Sequence, residues 1–256
     1  MVKAVDKIWL FGSSGMLGEK VADVAEEQGY EVYSPSHQSW PIELPGTPVQ
    51  NGDAVVINCA GRLPPTSFPE MIETNAIGPH QLAKLGMRMI HVSTDCVFSG
   101  KGSESYHSSQ ERPDPIDLYG RSKLLGEVQA PHVLNVRTSF IGLRHGFLRW
   151  LLDSHGKVEA WIHAYWNGGS VRRVAEAIVT LAEGDQTGVI HLAAAQRVTK
   201  AWMVEYLVEE LNLPIDSIEL VPEPVINRAL DPDVLLPPIK QSLDELIEEA
   251  NHALRV

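Results

Sequence analysis

Tyr119 and Lys123 stand four residues apart in a Tyr-Gly-Arg-Ser-Lys run. On a helix that spacing puts a phenol and an ammonium on one face, one turn apart. The pair suits acid–base chemistry, because an ammonium beside a phenol lowers the phenol pKa towards neutrality and favours phenolate character. Upstream, Ser93, Thr94 and Asp95 end the apolar run from Met89 to Ser93, which reads as a strand. At the carboxyl edge of a parallel sheet, the Thr94 hydroxyl would face the ligand crevice. Near the N-terminus, Gly12, Ser13, Ser14, Gly15, Met16, Leu17 and Gly18 make a GxxGxxG turn. The first glycine allows a tight turn, the second close approach of backbone to a pyrophosphate, and the third close helix–strand packing. Free amides at the helix N-terminus would then meet the phosphates. Each signal alone has a bland reading, as a structural turn or a solvated helix face. Their order along the chain makes coincidence the weaker explanation.

Dinucleotide folds that take NAD usually carry an acid at the end of the second strand, to bind the ribose 2′-hydroxyl. The window Ser34, Pro35, Ser36, His37 and Gln38 has none. That leans towards NADP(H) over NAD(H), with Ser36 and His37 as neighbours of a 2′-phosphate, although no Arg or Lys stands there.

The elements that must position these residues alternate. Ile8 to Phe11 reads as a strand, Met16 to Gln28 as a helix stopped by Gly29, Glu31 to Ser34 and Ala54 to Asn58 as strands. Glu70 to Leu85 reads as a helix, Met89 to Ser93 as a strand, Asp117 to Gln129 as a helix, and Val133 to Arg137 as a strand. Later, Phe147 to Leu152, Val171 to Leu181, Lys200 to Leu211 and Gln241 to Leu254 look helical, and Val189 to Leu192 looks like a strand. The proline-rich stretch from Pro214 to Pro238 predicts little regular structure. Apolar strands alternating with helices predict an α/β fold, a Rossmann-type doubly wound parallel sheet with a small C-terminal substrate lobe. The expected division is a dinucleotide-binding domain over 1–140, continued by parts of 155–195, with 141–256 contributing the lobe.

The 256 residues are 44% hydrophobic and 21% charged, the composition of a globular protein. A net charge of -12 argues against nucleic-acid or anionic-membrane partners, yet not against a phosphorylated ligand held by backbone amides. Cys59 and Cys96 form no CxxC, and His107, His145, His155 and His163 have no metal-ligand spacing, so neither disulfide nor metal site is expected. With no targeting segment or apolar span in view, the cytoplasm is the expected location. Trp150, Trp161, Trp166 and Trp202 have faces that suit a pyranose ring, with core packing as the alternative. Arg144, His145, Arg172 and Arg173 could meet a diphosphate or simply face water.

The series Gly12 to Gly18, Ile57 to Gly61, Asn75, Val92 to Gly100 and Tyr119 to Glu127 resembles extended short-chain dehydrogenases. Within them the chain is most similar to the dTDP-4-dehydrorhamnose reductase family, over nearly its whole length. The resemblance implies an NAD(P)H-dependent reductase of a nucleotide-activated 4-keto-6-deoxy sugar. It implies Tyr119 as proton donor, Lys123 as its pKa partner and ribose ligand, and Thr94 as hydrogen-bonder to the substrate carbonyl. It also implies that Cys59, Ala60 and Gly61 line the adenosine side, with Ser93, Asn75 and Thr138 near the cofactor. Partners implied are the nucleotide sugar and, as an assembly, a homodimer. The chain departs from the family at Cys96, where an aromatic residue is usual, and at Arg62 to Pro65; it is also shorter than typical members. Two other readings stay open: a sugar-nucleotide epimerase or dehydratase on the same scaffold, and a non-catalytic dinucleotide-binding regulatory subunit. Dehydratases of this type usually place an Asp-Glu pair after Ser-Thr, whereas here Asp95 precedes Cys96.

Overall fold

Alternating apolar residues bury both faces of the first strand, and the rest of the sheet is built around it. The computed structural model describes residues 5–35, 54–102 and 104–253. Along the chain run β1 (Lys7–Phe11), α1 (Met16–Glu27), β2 (Glu31–Tyr33), β3 (Ala54–Asn58), α2 (Phe68–Ile72), a π turn (Glu73–Ile77), α3 (Gly78–Ala83) and β4 (Met89–Val92). A 3₁₀ turn (Asp95–Val97), α4 (Leu118–Leu125), β5 (Val133–Thr138), β6 (Phe140–Ile141), α5 (Phe147–Leu152), β7 (Gly156–Trp161), β8 (Ala164–Trp166) and β9 (Gly169–Ser170) follow. The chain ends with α6 (Val171–Ala182), β10 (Gly188–Ala194), β11 (Val198–Thr199), α7 (Lys200–Glu210), β12 (Ile215–Val221), β13 (Ile226–Asn227), β14 (Val234–Leu236) and α8 (Ile239–Ala253).

Seven parallel strands form the central sheet in the order β14-β10-β5-β4-β3-β1-β2. Ile8 and Leu10 of β1 face a core completed by Leu17, Val21 and Val24 of α1 and Val174 and Ile178 of α6. Trp9 and Phe11 face the opposite side, where Leu82 and Ala83 of α3 cover them. Helices on both faces make the sheet doubly wound. From β1 the chain runs to β2 on one side and later to β3 on the other, so the carboxyl ends of β1 and β3 flank a topological switch point. A second apolar cluster joins Leu148 and Leu151 of α5, Val158 and Ala160 of β7, Met203 and Leu207 of α7, and Leu243 and Leu246 of α8.

Three elements differ from the sequence reading. The helix expected over Glu70 to Leu85 begins at Phe68 and is broken by the π turn. Pro79 has no N–H for the carbonyl of Asn75, so the hydrogen-bond ladder must shift register there. The helix expected to Gln129 ends at Leu125, because Glu127 and Val128 turn inward to buried partners. The stretch from Pro214 to Pro238, expected to be irregular, contains the seven-residue strand β12, paired in parallel with β7. Two of the stretch's prolines, Pro214 and Pro222, flank the strand and leave its interior free to pair.

Candidate active site

Gly12 leaves β1 with φ of 83°, and a Cβ there would lie 2.4 Å from the Ala60 amide nitrogen. Glycine alone lets this turn rest against the loop after β3. Gly18 seats α1 on the same turn, since a Cβ there would meet the Gly12 carbonyl oxygen at 2.0 Å. Gly15 is exposed, and its Cβ position meets only that same carbonyl oxygen, at 3.2 Å. It caps α1 without a side-chain hydrogen bond, which leaves the first amides of the helix for a ligand. Beside them lies a cavity of about 510 Å³ lined by Gly12, Ser13, Ser14, Ser34, Ala60 and Arg62. Open amides, a bare glycine and an adjoining cavity fit the pyrophosphate and adenosine half of a dinucleotide. Leu17 is buried in the core and Met16 lies against Gly142, so those two offer backbone alone. Ser36 and His37 lie outside the described residues.

The strand β4 ends at Val92 and delivers Thr94 as the cap of the 3₁₀ turn. The Cys96 amide donates to Thr94 Oγ1 at 3.2 Å, and the Thr94 hydroxyl donates to Asp95 Oδ1 at 3.1 Å. Across from it, Asp117 caps α4 by accepting from the Gly120 amide at 2.7 Å. A Cβ on Gly120 would lie 2.1 Å from the Cys96 carbonyl oxygen, so this glycine lets α4 lie flush against the turn after β4. Tyr119 is thereby brought near Thr94, whose side chain acts on its phenol. One turn on, Lys123 is buried and its Nζ donates to the Val92 carbonyl at 2.7 Å. Phenol, hydroxyl and ammonium therefore converge where β4 ends. Gly120→Ala is expected to destabilise the fold by ~1–3 kcal/mol, as overpacking does. It should also cost turnover by moving Tyr119 off its station. Thermal melting and kcat check both, and unchanged values would refute the close approach.

Burial pushes the Tyr119 phenol well above its ordinary pKa; Cys96, Asp95 and Asp117 push the same way, and Thr94 pulls it down. The lowering expected from Lys123 does not occur. The ammonium points instead to the Val92 carbonyl, with Glu127 and the Cys59 thiol as its titratable neighbours. Burial brings the Lys123 pKa down to about 8, against the opposing pull of Glu127 and Cys59. Asp95 is raised by burial, and the Cys96 thiol is pushed up to about 12 by burial and by Asp95.

Several expected cofactor neighbours also hold protein partners. The Asn75 side chain, placed by the π turn, accepts from the Arg62 amide at 2.7 Å and donates to the Arg62 carbonyl at 2.8 Å and to Ser122 Oγ at 3.0 Å. It clasps the loop after β3 to the helix that carries Tyr119 and Lys123. The Ser93 hydroxyl donates to Glu127 Oε1 at 2.7 Å, and the Thr138 hydroxyl to the Leu192 carbonyl at 2.8 Å. Cys59 sits beside Lys123, pushed up to about 12 by burial, while Gly61 lies against Asn75. The arginines considered for a diphosphate are committed to carboxylates: Arg144 to Glu19, Arg172 to Glu27 and Glu176, Arg173 to Glu176 and Glu245.

Three groups that motif reading missed surround the trio. Arg228, from the segment between β13 and β14, contacts Cys96 Sγ at 3.1 Å and donates to Asp117 Oδ2 at 3.2 Å. Glu127 holds Arg137 through two hydrogen bonds of 2.8 Å, both side chains buried. Lys200, at the start of α7, lies near Asp95 and Cys96. Only the position of Glu127, four residues after Lys123, offered any local signal.

Residues 6–230 match the family described as RmlD substrate binding domain. A dTDP-4-dehydrorhamnose reductase of Mycobacterium tuberculosis is 30% identical over 234 residues, covering 80% of this chain and 75% of that protein. Among solved structures, a dTDP-4-dehydrorhamnose reductase of Clostridium acetobutylicum superposes with a TM-score of 0.81 at 20% identity, over 96% of this chain and 99% of that one. The Bacillus anthracis enzyme of the same name, solved with NADP, gives 0.78 at 18% identity, over 96% and 99%. At such identities the structures speak for the fold alone, a Rossmann-type sheet carrying its crevice at the switch point. The family match spans most of the chain and agrees with the mycobacterial relative, so this chain belongs to the RmlD substrate-binding domain family.

Proposed function

We propose that this chain is an NADPH-dependent reductase of the 4-keto group of a dTDP-bound 6-deoxy sugar. The observation that carries the reading is the convergence of Thr94, Tyr119 and Lys123 at the end of β4, beside a glycine turn with open helix amides. The first amides of α1 would hold the pyrophosphate, and Ser34, Ala60 and Arg62 the adenosine end. A bound nicotinamide dinucleotide supplies the hydride. The protein supplies the rest. Thr94 and Tyr119 hydrogen-bond the ketone oxygen, and Tyr119 gives its proton to that oxygen as negative charge develops there. Its raised pKa suits this direction, because the phenol is fully protonated at neutral pH. Lys123, fixed by the Val92 carbonyl, offers its remaining protons to a ribose hydroxyl and keeps positive charge behind the reacting groups.

NADPH is preferred over NADH in this reading because neither Ser34 nor Pro35, which line the cavity after β2, is an acid, and Arg62 contributes a cation. The dehydratase alternative lacks its second acid, since Cys96 rather than a carboxylate follows Asp95.

The test is cofactor oxidation by the purified protein with a dTDP-4-keto-6-deoxy sugar. One NADPH should be consumed per sugar reduced, with a higher kcat/KM for NADPH than for NADH. Conversion of the sugar without net oxidation would mean an epimerase or dehydratase.

A further inference from the structure

Arg228 joins the two elements that carry the proposed acid and its hydroxyl partner. It comes from the segment between β13 and β14, more than a hundred residues along the chain from either. Its Nη1 donates to Cys96 Sγ at 3.1 Å, in the turn that Thr94 caps, and its Nη2 donates to Asp117 Oδ2 at 3.2 Å, on the residue that caps α4. The Cys96 thiol, pushed up to about 12, stays protonated, so its sulfur accepts through a lone pair. The other oxygen of Asp117 accepts from the amide of Gly120, the residue after Tyr119. Cys96 stands two residues after Thr94, and Asp117 two before Tyr119. One guanidinium therefore ties both stations together.

The backbone around Arg228 is held independently of those two contacts. The Asn227 amide donates to the Gly100 carbonyl at 2.8 Å, and the His107 amide donates to the Ala229 carbonyl at 2.8 Å. Asn227 Nδ2 adds a bond to the Ser105 carbonyl at 2.7 Å, and the Leu230 amide donates to Asn167 Oδ1 at 2.9 Å. Gly100 leaves room for the stem, since a Cβ there would lie 2.9 Å from Arg228 Cγ. The fork is thus aimed by its own segment and the loop beneath it. The ion pair adds little stability, because the Asp117 side chain is 45% exposed. What it offers is geometry: a planar fork on two acceptors fixes their separation, whereas an ammonium on a flexible stem does not.

We propose that Arg228 is a positioning residue for the reaction: by bonding Cys96 and Asp117 at once, it sets the separation between the turn that carries Thr94 and the helix that carries Tyr119. The inference rests on the reductase reading of that site. Two donors serve one ketone oxygen only when both lie within hydrogen-bond reach together, and a misplacement of ~1 Å costs up to ~10²-fold. Without the fork, Asp117 is free to turn towards water and the first turn of α4 loosens with it. Tyr119 lies in that turn.

A double-mutant cycle with Asp117 tests the role. Arg228→Met, which keeps the stem and deletes the fork, should lower kcat by ~10-fold and leave KM for NADPH and for the sugar unchanged. Arg228→Lys should recover part of the loss, since an ammonium serves one partner at a time. In an Asp117→Asn background, Arg228→Met should cost no more than about twofold further, because the path through Asp117 is already broken. A second readout needs no turnover. In protein labelled with 3-fluorotyrosine, the ¹⁹F resonance missing from Tyr119→Phe belongs to Tyr119, and it should shift in Arg228→Met. Should that variant fail to fold, Asp117→Asn, altered at the exposed end of the same contact, should shift the same resonance. A raised KM for the sugar with kcat intact would overturn the proposal and make Arg228 a substrate ligand. Losses that multiply across the cycle, or a Tyr119 resonance that stays in place, would also overturn it. A shifted resonance in a protein that reduces no ketone would overturn the proposed activity and leave the positioning of the phenol standing.

Discussion

Tyr119→Phe lowers the rate of ketone reduction by ~10²-fold or more, the usual worth of a positioned general acid. NADPH affinity stays unchanged. The ring keeps its volume at a half-buried site, so α4 and its Asp117 cap are undisturbed. What disappears is one proton and one hydrogen bond aimed at the developing alkoxide. Thr94 remains to orient the carbonyl, which is why activity is reduced rather than abolished. Single-turnover kinetics with saturating NADPH isolates the chemical step. Full turnover in this variant would remove the phenol from the mechanism, and loss of NADPH binding would mean that Tyr119 serves the cofactor site instead.

Glu127→Leu carries the largest expected loss of stability, ~3–5 kcal/mol. The Glu127 and Arg137 side chains are 3% and 4% exposed, and their pairing is what makes two buried charges tolerable. Removing the carboxylate leaves a guanidinium beside His191, itself held neutral with its pKa down at about 4 by burial and by Arg137. In a chain of this size the melting temperature should fall by ~6–20 °C. The same change reaches the reaction through Lys123. Glu127 is the main group that raises the Lys123 pKa against burial, which still brings it down to about 8. The ammonium is the form present below that value, so kcat/KM of the unaltered protein declines as pH rises past about 8. Without the carboxylate the pKa falls further, and the decline begins at lower pH. Glu127→Gln separates the two effects: it keeps shape and some hydrogen bonding, destabilises less, and moves the alkaline limb in the same direction. A limb that stays in place in both variants would show that Glu127 stabilises the fold without tuning Lys123.

Much of this protein was legible before its fold. Short apolar runs at Ile8 to Phe11, Ala54 and Val133, and helical spacing from Met16 onward, identified the doubly wound sheet. Such patterns record which face of an element meets the core, and that is a local property. The glycine turn was legible for the same reason, since φ of 83° at Gly12 is a demand on a single residue. The spacing of Tyr119 and Lys123 followed from helix geometry alone.

Tertiary structure decided what those residues touch. The sequence paired Lys123 with Tyr119; packing turned the ammonium towards the Val92 carbonyl, and burial raises the phenol pKa where it was expected to fall. Asn75 read as a cofactor neighbour; packing adds that its side chain clasps Arg62 to Ser122. Arg228 and Lys200 come from beyond the sheet's first five strands and reach Cys96 and Asp95 only because the later chain folds back over the strand ends. Periodicity and spacing determine which way a side chain points from its own helix or strand. Desolvation and charge depend on the distant segments that close over it, and those decided the chemistry at the end of β4.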